Sequence, residues 1–384
     1  MKRSTERMLT THAGRLEGPP AFRQLTGSPL ERRILDPAAL EPQLHDAAVW
    51  VLRQQTAAGI DVVSDGEVGK LGFGLAYYGR RLTGLASRKL GENEPGWMSQ
   101  RTGERIEFAD FYKDMGWLAP AERVVCSGPI RYIGEDEIAK DLGRYKAALS
   151  EAEVQVEDAF VCALAPAWLE HFFHNEFYAG DEEYLMALAE AMRHEYRAIV
   201  DAGFILQIDD PALPDTYDMI VPAPEIADYR AFAAVRIEAL NHALEGLPED
   251  RVRYHICWGS WHGPHTHDLP LEHVVDLMLE VNAGAYSVEA ANPRHEHEWK
   301  IWRETKLPDG KILIPGVISH ATNVVEHPEL VADRIVRYAE LLGRENIIAG
   351  TDCGLGFRVH PQIAWAKLKA LAEGAALASG RLWL

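Results

Sequence analysis

The sequence predicts an α/β protein with the architecture of a (β/α)8 TIM barrel. Eight short, nearly continuous apolar runs occur along the chain, and longer amphipathic segments lie between them. Continuous apolar runs are typical of parallel strands that are buried on both faces, and amphipathic segments are typical of helices that cover such a sheet. Eight strands that alternate with helices form the pattern of this barrel. A doubly wound open sheet is the alternative, but we find no glycine-rich phosphate-binding loop at a helix start to favour it.

The predicted elements follow one another in a regular order. The predicted strands are residues 8–12, 61–64, 123–127, 204–209, 252–257, 285–289, 312–317 and 347–351. The predicted helices include residues 46–58, 185–202, 229–244, 271–282 and 328–342. Two stretches interrupt this order: residues 80–120 are rich in glycine, tryptophan and charge, and residues 160–178 contain an aromatic cluster. We interpret them as insertions after strands 2 and 3 of a single domain that spans residues 1–384.

Composition and charge exclude several classes of protein. The 384 residues are 47% hydrophobic, which is sufficient for a large buried core and excludes global disorder. A net charge of -19 repels phosphate backbones and anionic lipids, so we expect neither nucleic acid nor a membrane as a partner. No run approaches the roughly 20 apolar residues that span a bilayer, and the N-terminus lacks the apolar stretch of a secretory signal. These features predict a cytoplasmic protein whose four cysteines are free thiols.

Residues that can bind a metal follow three of the predicted strands. His255 and Cys257 lie two residues apart at one strand end, so alternation along the strand places both on the same face. Glu289 ends the next strand, and Cys353 follows the last one. These strand ends meet at the C-terminal mouth of a barrel, where barrel enzymes carry out their chemistry. A histidine and two thiolates form a donor set that suits Zn²⁺, and the carboxylate supplies a fourth ligand that a substrate can displace.

A cysteine near a buried strand is more often a small core residue than a ligand. We interpret Cys126 and Cys162 in this way. For Cys257 and Cys353, the joint placement with His255 at the strand ends favours the metal site over core packing.

Two acidic residues at strand ends are candidates for substrate binding. Glu67 lies in the segment DGE after the second strand, and Asp209 closes the strand 204–209. A carboxylate that faces the barrel mouth needs a cationic partner, and the ammonium group of a substrate is one such partner. Solvation in a loop or capping of a helix is the alternative for such residues.

Several histidines lie near the same predicted mouth. His320 follows the strand 312–317, where it could relay a proton to a leaving group or serve as a buried structural histidine. His262, His265 and His267 share one loop, which we interpret as a polar lining of the mouth rather than a second metal site. We interpret the segment 295–298 as the solvated start of a helix.

Eight motifs carry a resemblance to a known family. In chain order they are LTTHAG at 9–14, DGE at 65–67, SGP at 127–129, QIDDPAL at 207–213, HIC at 255–257, SVE at 287–289, PGV at 315–317 and DCG at 352–354. In this order and spacing they resemble the catalytic C-terminal barrel of cobalamin-independent methionine synthase, over nearly the whole chain.

The resemblance implies a role for several residues. It implies a barrel whose zinc is held by the same four residues that the strand ends suggest, namely His255, Cys257, Glu289 and Cys353. It also implies that Glu67 and Asp209 hold the amino group of homocysteine, and that His320 matches the catalytic histidine, although its spacing from the PGV motif is one residue shorter here.

The chain departs from the family pattern at the acceptor and donor sites. The family usually has serine where this chain has Arg15, and an arginine there can hold a carboxylate or a sulfonate. The aromatic residue expected to stack on folate is replaced near Glu135. The segment CWGSWH at 257–262 is similar to a sub-group that includes epoxyalkane:coenzyme M transferases, and it places Trp258 among the expected substrate-binding residues.

Four functional hypotheses remain open at this point. The first is zinc-dependent methyl transfer to homocysteine, which gives methionine and takes the methyl group from methyltetrahydrofolate or another small donor. The second is the opening of an epoxide by the zinc-bound thiolate of coenzyme M. The third is a non-catalytic barrel that binds zinc or a ligand, and the fourth is a zinc-free barrel such as a decarboxylase related by fold. The sequence leaves the oligomeric state open, and a homo-oligomer is compatible with it.

Overall fold

The architecture is that of a curled parallel sheet surrounded by helices. The structure is a computed structural model that describes residues 1–26, 37–70, 73–91, 94, 102–115 and 122–383. Its strands are β1 (Val62–Ser64), β2 (Leu85–Lys89), β3 (Glu122–Cys126), β4 (Asp158–Leu164), β5 (His174–Asn175), β6 (Ile205–Asp209), β7 (Val252–His255), β8 (Ala285–Glu289), β9 (Ile312–Ile318) and β10 (Gly350–Thr351). Seven of them form one parallel sheet in the order β1-β4-β6-β7-β8-β9-β10, and the others form a separate sheet in the order β2-β3-β5.

Backbone hydrogen bonds through residues 9–11 join the two edges of the parallel sheet. The amide of Thr11 donates to the carbonyl of Ala349 (2.8 Å), next to β10, and the amide of Ala349 donates to the carbonyl of Leu9 (2.9 Å). On the other side, the amide of Val62 in β1 donates to the carbonyl of Thr10 (3.0 Å). The predicted first strand, residues 8–12, therefore lies between the first and last strands of the sheet. The predicted TIM-barrel fold is confirmed.

Helices follow the strands and cover the outside of the sheet. In chain order they are α1 (Pro20–Thr26), α2 (Pro37–Ala57), α3 (Phe73–Tyr78), α4 (Thr102–Glu107), α5 (Ala109–Asp114), α6 (Glu135–Ala152), α7 (Pro166–Phe172), α8 (Asp181–Asp201), α9 (Ala212–Met219), α10 (Ile226–Leu244), α11 (Val275–Leu279), α12 (Pro328–Leu342) and α13 (Pro361–Leu382). Short 3₁₀ helices lie at Glu249–Arg251, Leu271–His273, Glu296–Arg303 and Arg344–Asn346. In the part of the chain that the structure describes, no helix has the length and apolar character needed to cross a membrane.

The sequence explains where the longer helices begin and which face they bury. Helix α8 opens with three consecutive acidic residues, which suit the positive end of the helix dipole. Helix α12 begins at Pro328, whose fixed backbone angle and missing amide are tolerated at the first helical position, and it ends before Gly343. The buried residues of α8 recur every three or four positions, as expected for a helix that packs one face on a sheet.

The third barrel strand differs from the prediction. Residues 123–127 were expected in the barrel, but β3 pairs antiparallel with β2 and parallel with β5 in the small sheet. The barrel position belongs to β4, whose residues 160–164 fall within the predicted insertion 160–178. The burial patterns explain the difference, because β4 has four consecutive buried residues whereas β3 alternates partly exposed and buried positions. The other predicted insertion, 80–120, holds β2, α4 and α5, while its residues 92–93, 95–101 and 116–120 lie outside the described residues.

A close backbone approach between β9 and β10 positions the end of the last strand. An added Cβ at Gly316 would lie 2.4 Å from Cα and 2.5 Å from the amide nitrogen of Asp352. The amide of Asp352 donates to the carbonyl of Ile318 (2.9 Å), which holds the chain in this position. Only glycine at 316 leaves room for the segment that carries Asp352 and Cys353 to the mouth.

We expect Gly316→Ala to destabilise the protein by about 2 kcal/mol, because overpacking against a hydrogen-bonded backbone cannot be relieved by a side-chain rotation. Gly143→Ala is the matched control, since Gly143 lies within α6 and an added Cβ there meets nothing within 4 Å. This control should be neutral or stabilising by up to about 1 kcal/mol. Urea unfolding of both variants measures the difference, and equal midpoints would contradict the expected role of Gly316.

Candidate active site

Three soft donor groups meet at the C-terminal mouth of the barrel. His255 ends β7, Cys257 lies two residues beyond it, and Cys353 follows β10; their ligand atoms all lie within 4.8 Å of one another. The two sulfur atoms are 3.7 Å apart. Nδ1 of His255 lies 3.1 Å from Oγ of Ser287, whereas its buried Nε2 has no hydrogen-bond partner among the described residues. One imidazole nitrogen and two sulfurs are the donors that a structural or catalytic zinc site uses.

The pKa values of the two thiols shift in opposite directions because one hydrogen bond joins their sulfur atoms. The contact with Cys257, followed by His255, holds the pKa of Cys353 well below its usual range. The contact with Cys353, together with burial, raises the pKa of Cys257 well above its usual range. The protein alone therefore favours one thiolate and one thiol. A divalent cation would favour the thiolate form of both.

The fourth predicted ligand lies in a neighbouring group. The carboxylate of Glu289 accepts hydrogen bonds from the backbone amide of Trp258 (3.1 Å) and from Nδ2 of Asn292 (2.9 Å). One of its oxygens lies within 4.8 Å of the ligand atoms of His320 and Asp352, and these three side chains are all buried. The structure thus brings together three of the four predicted ligands, and it holds Glu289 beside His320. The role of Glu289 as a ligand stays a prediction.

His320 is a buried histidine with free ring nitrogens. Neither its Nδ1 nor its Nε2 has a hydrogen-bond partner among the described residues. Burial lowers its pKa, so the ring is neutral near pH 7. A buried structural histidine is normally hydrogen-bonded, so this position favours the functional interpretation. A neutral imidazole beside two carboxyl groups can accept and return a proton.

Asp352 lies beside His320 and is itself strongly perturbed. Its Oδ1 accepts hydrogen bonds from the amides of Ala290 (2.7 Å) and Ala291 (2.9 Å), whereas Oδ2 has no partner among the described residues. Burial, followed by the charge of Glu289, raises its pKa well above the usual range. This side chain was not among the predicted site residues, although it stands next to Cys353 in the DCG motif.

A second group of side chains forms what we call the acidic pocket: Glu67, Cys162 and Asp209. Their polar atoms lie within 4.8 Å of one another. An added Cβ at Gly14 would lie only 2.6 Å from Oε1 of Glu67, so the loop after residues 9–11 closes on this carboxylate. Burial raises the pKa of Asp209 to about 7, and Nε2 of Gln207 donates to its Oδ1 (2.6 Å). The structure brings the two predicted carboxyl groups together.

Sequence reasoning missed Cys162 as a member of this pocket. The residue lies on β4, which is absent from the predicted barrel strands, and the sequence predicts a core cysteine at this position. It is buried, and Nε2 of Gln207 lies 3.3 Å from its sulfur. Correct assignment of β4 would have placed Cys162 one strand away from Asp209, because the two strands are hydrogen-bonded neighbours.

Arg15 lies at the edge of the acidic pocket. Its Nη1 donates to the carbonyl of Lys70 (2.8 Å), and its guanidinium group stacks over the ring of Phe357 at 4.4 Å. The loop after β10 packs closely against it, since an added Cβ at Gly354 would lie 2.9 Å from the amide nitrogen of Arg15. The predicted substrate-binding arginine is therefore held between the pocket and the loop that carries Cys353.

Comparison with known proteins decides the family. The sequence profile described as the catalytic domain of the cobalamin-independent synthase matches residues 178–376, which is just over half of the chain. The chain belongs to this family. The family resemblance that the motifs suggested is therefore confirmed.

Proteins with different names are similar to this chain. A 2-hydroxypropyl-CoM lyase from Xanthobacter autotrophicus is 24% identical over 374 residues, covering 90% of this chain and 88% of that protein. A methionine synthase from Thermococcus kodakarensis is 24% identical over 350 residues, covering 86% of this chain and 82% of that protein. The structure of a B12-independent methionine synthase from a Shewanella species, in complex with selenomethionine, has a TM-score of 0.72 at 21% identity and covers 98% of this chain and 99% of that chain.

Within this cobalamin-independent synthase domain, Trp258 packs between His295 and the candidate ligand Glu289. Its side chain is fully buried, and its Nε1 donates to the carbonyl of Leu269 (2.7 Å). The indole stacks on the ring of His295 with 3.7 Å between centroids and 16° between planes. The buried indole offers no surface to a substrate, so this position does not support the predicted substrate contact. Its backbone amide instead fixes the carboxylate of Glu289.

His295 belongs to a buried chain of charged groups, so the interpretation of 295–298 as a solvated helix start is wrong at this residue. Its Nε2 lies 2.9 Å from Oδ2 of Asp268, and its Nδ1 lies 3.0 Å from Oε2 of Glu298. Nδ1 of His265 lies 2.7 Å from the same oxygen of Asp268. Burial lowers the pKa of His295, but the hydrogen bonds to both carboxylates outweigh it and raise the pKa to about 10. An imidazolium ion therefore lies against Trp258 at neutral pH.

The other loop histidines make separate contacts. Nε2 of His262 lies 3.3 Å from the carbonyl oxygen of His320, and Nε2 of His267 lies 2.6 Å from Oε2 of Glu107 at the surface. Neither belongs to a potential metal-binding group within the described residues. These contacts favour the interpretation of this loop as a polar lining of the mouth.

We expect His295→Gln to destabilise the protein in a pH-dependent way. The folded-state pKa of about 10 lies above the ordinary value of 6.5, so the stabilisation is complete below pH 6.5 and is lost as the pH rises through 10. The loss at pH 6 should be about 3 kcal/mol, because two buried carboxylates lose their cation. His297→Gln is the control at an exposed neighbouring histidine and should have no effect at either pH. Urea unfolding at pH 6 and pH 10 measures both variants, and a loss independent of pH would refute the charged state of His295.

Proposed function

We propose that this chain is a zinc-dependent alkyltransferase that transfers a small carbon group to the sulfur of a small thiol. The observation that carries the proposal is the convergence of the His255 nitrogen with the two thiols, with Nε2 left without a hydrogen-bond partner among the described residues. His255, Cys257 and Cys353 would hold the metal, and Glu289 stands next to them to complete the set. When bound, zinc would favour the thiolate form of an incoming thiol, whose pKa is otherwise roughly 8.5.

The residues fit a cation for a second, electrostatic reason. Glu289 and Asp352 are both buried beside two thiols that compete for one proton. Burial raises the pKa of Asp352, and the contact with Cys353 together with burial raises that of Cys257, so these groups stay protonated without a compensating positive charge. A divalent ion would supply that charge, and the ligand atoms of His255, Cys257 and Cys353 already lie within 4.8 Å of one another.

The side chains around this centre have distinct tasks in the proposed reaction. The acidic pocket and Arg15 would bind the end groups of the thiol acceptor and orient its sulfur. His320, whose ring is neutral and has no hydrogen-bond partner at either nitrogen among the described residues, would accept the proton that the acceptor thiol releases. It would then return a proton to the leaving group of the alkyl donor. These residues would also speed the reaction by holding the acceptor sulfur in line with the donor carbon, at a distance of about 3 to 3.5 Å.

Two acceptors are supported by specific observations. Methyl transfer to homocysteine is supported by the carboxyl groups of Glu67 and Asp209, which can bind an ammonium group, and by the similarity to methionine synthases. The opening of an epoxide by coenzyme M is supported by Arg15, which can bind a sulfonate, and by the similarity to the 2-hydroxypropyl-CoM lyase. Both candidates use the same metal donors and the same proton relay, and both require a small-molecule alkyl donor.

We expect Cys257→Ser and Cys353→Ser each to weaken zinc binding at least about tenfold and to abolish thiol alkylation, because a hydroxyl is a poor substitute for a thiolate ligand. Cys126→Ser is the matched control: Cys126 is buried in β3, and its sulfur donates to the carbonyl of Gly128 (3.3 Å), a bond that serine can also make. Zinc per chain is measured by atomic absorption, and folding by circular dichroism. If either site variant kept full zinc and turnover, the proposed ligand set would be wrong.

A further inference from the structure

Lys70 places a cation of the protein itself next to the acidic pocket. Its Nζ lies 4.0 Å from Oε2 of Glu67 and donates a hydrogen bond to the carbonyl oxygen of Cys162. The ammonium group also lies 5.4 Å from the centre of the Tyr77 ring. The side chain is only 14% exposed, so little solvent screens its charge from the pocket.

The turn after β1 fixes the distance between Lys70 and Glu67. The amide of Lys70 donates to the carbonyl of Glu67 (3.0 Å), and the amide of Glu67 donates to Oδ1 of Asp65 (2.9 Å). Glu67 adopts a left-handed backbone conformation with φ of 55°, which non-glycine residues rarely take without a structural reason. The turn therefore holds the carboxylate and the ammonium group on the same side, three residues apart.

Both carboxyl groups of the pocket already have partners within the protein. Glu67 faces the ammonium group of Lys70, and Asp209 accepts a hydrogen bond from Gln207. The charge of Glu67 in turn raises the pKa of Lys70 against the effect of burial, so the lysine is charged at neutral pH. An ammonium group of a substrate that approached Glu67 would meet a like charge.

We propose that Lys70 is a specificity-determining residue that supplies the cation of the acidic pocket, so that the pocket selects thiol acceptors without an amino group. This inference rests on the proposed function, because it concerns the thiol acceptor of the same site. Arg15 lies at the pocket edge, where its Nη1 donates to the carbonyl of Lys70, so a second positive charge of the protein stands near Glu67. Of the two candidate acceptors, this arrangement favours the one that lacks an amine.

The test compares two thiols that differ only in the amino group: L-homocysteine and 4-mercaptobutyrate. Their dissociation constants for the zinc-loaded protein are measured by calorimetry, for wild type, Lys70→Met and Lys70→Arg. Wild type should bind 4-mercaptobutyrate at least about tenfold more tightly, because like-charge contacts strongly disfavour a ligand. Lys70→Met keeps an unbranched side chain of similar length but removes the charge. It should shift the ratio of the two dissociation constants toward homocysteine by about tenfold. Lys70→Arg keeps the charge and should leave the ratio close to that of wild type.

The outcomes separate this inference from the proposed function. Tighter binding of homocysteine to wild type overturns the role of Lys70 and leaves thiol alkylation standing, and this comparison holds even if a variant fails to fold. An unchanged ratio in folded Lys70→Met also overturns it. If neither thiol binds to the zinc-loaded wild type, both the proposed function and the inference fail.

Discussion

The burial of ionisable groups at the barrel mouth governs the whole site. Two thiols lie 3.7 Å apart, and Glu289 and Asp352 are buried beside them. Backbone amides reduce the cost of this burial, since they donate to both carboxyl groups. His255 helps to lower the pKa of Cys353, whereas Oδ2 of Asp352 has no hydrogen-bond partner in the described part of the chain. This mouth is a candidate catalytic centre because its buried donor groups favour a bound cation.

Buried charged residues also lie behind the residues of the mouth. The imidazolium of His295 is held between Asp268 and Glu298 and stacks on Trp258. The amide of Trp258 in turn fixes Glu289. A chain of contacts therefore links buried ion pairs to a candidate ligand, and such support typically sets the orientation and basicity of the groups in front of it. The same principle operates at the acidic pocket, where Nζ of Lys70 lies 4.0 Å from Oε2 of Glu67.

The sequence predicts the central features of the site because strand geometry is local. Alternation along one strand places His255 and Cys257 on one face, and parallel strands bring Cys353 to the same end of the sheet. No comparable rule connects β3 with the small sheet, because a short apolar strand does not reveal which partner it pairs with. The predicted third barrel strand is therefore wrong, and for the same reason the sequence does not predict that Cys162 lies beside Asp209.

Burial of polar residues was the other limit of sequence reasoning. The segment around His295 carries alternating histidines and acidic residues, a composition that is typical of a solvated surface. Its burial depends on Asp268 and on Trp258, which approach it only in the folded chain. The resemblance predicts Trp258 as a substrate contact, and its side chain is buried in the folded chain. Sequence indicates which residues lie near the mouth, but not which side chains are buried there.

Closure of the sheet through residues 9–11 has a consequence for the order in which the chain can fold. Thr10 pairs with Val62, which follows soon after it in the chain, and with the strand around Ala349, which comes near the end. During synthesis the first strand gains one neighbour early, and its other edge stays unpaired until nearly all of the barrel has emerged from the ribosome. Exposed strand edges promote pairing with other chains, and contacts between distant residues form slowly. Completion of the mouth is therefore tied to the last strand of the barrel, the one that Cys353 follows.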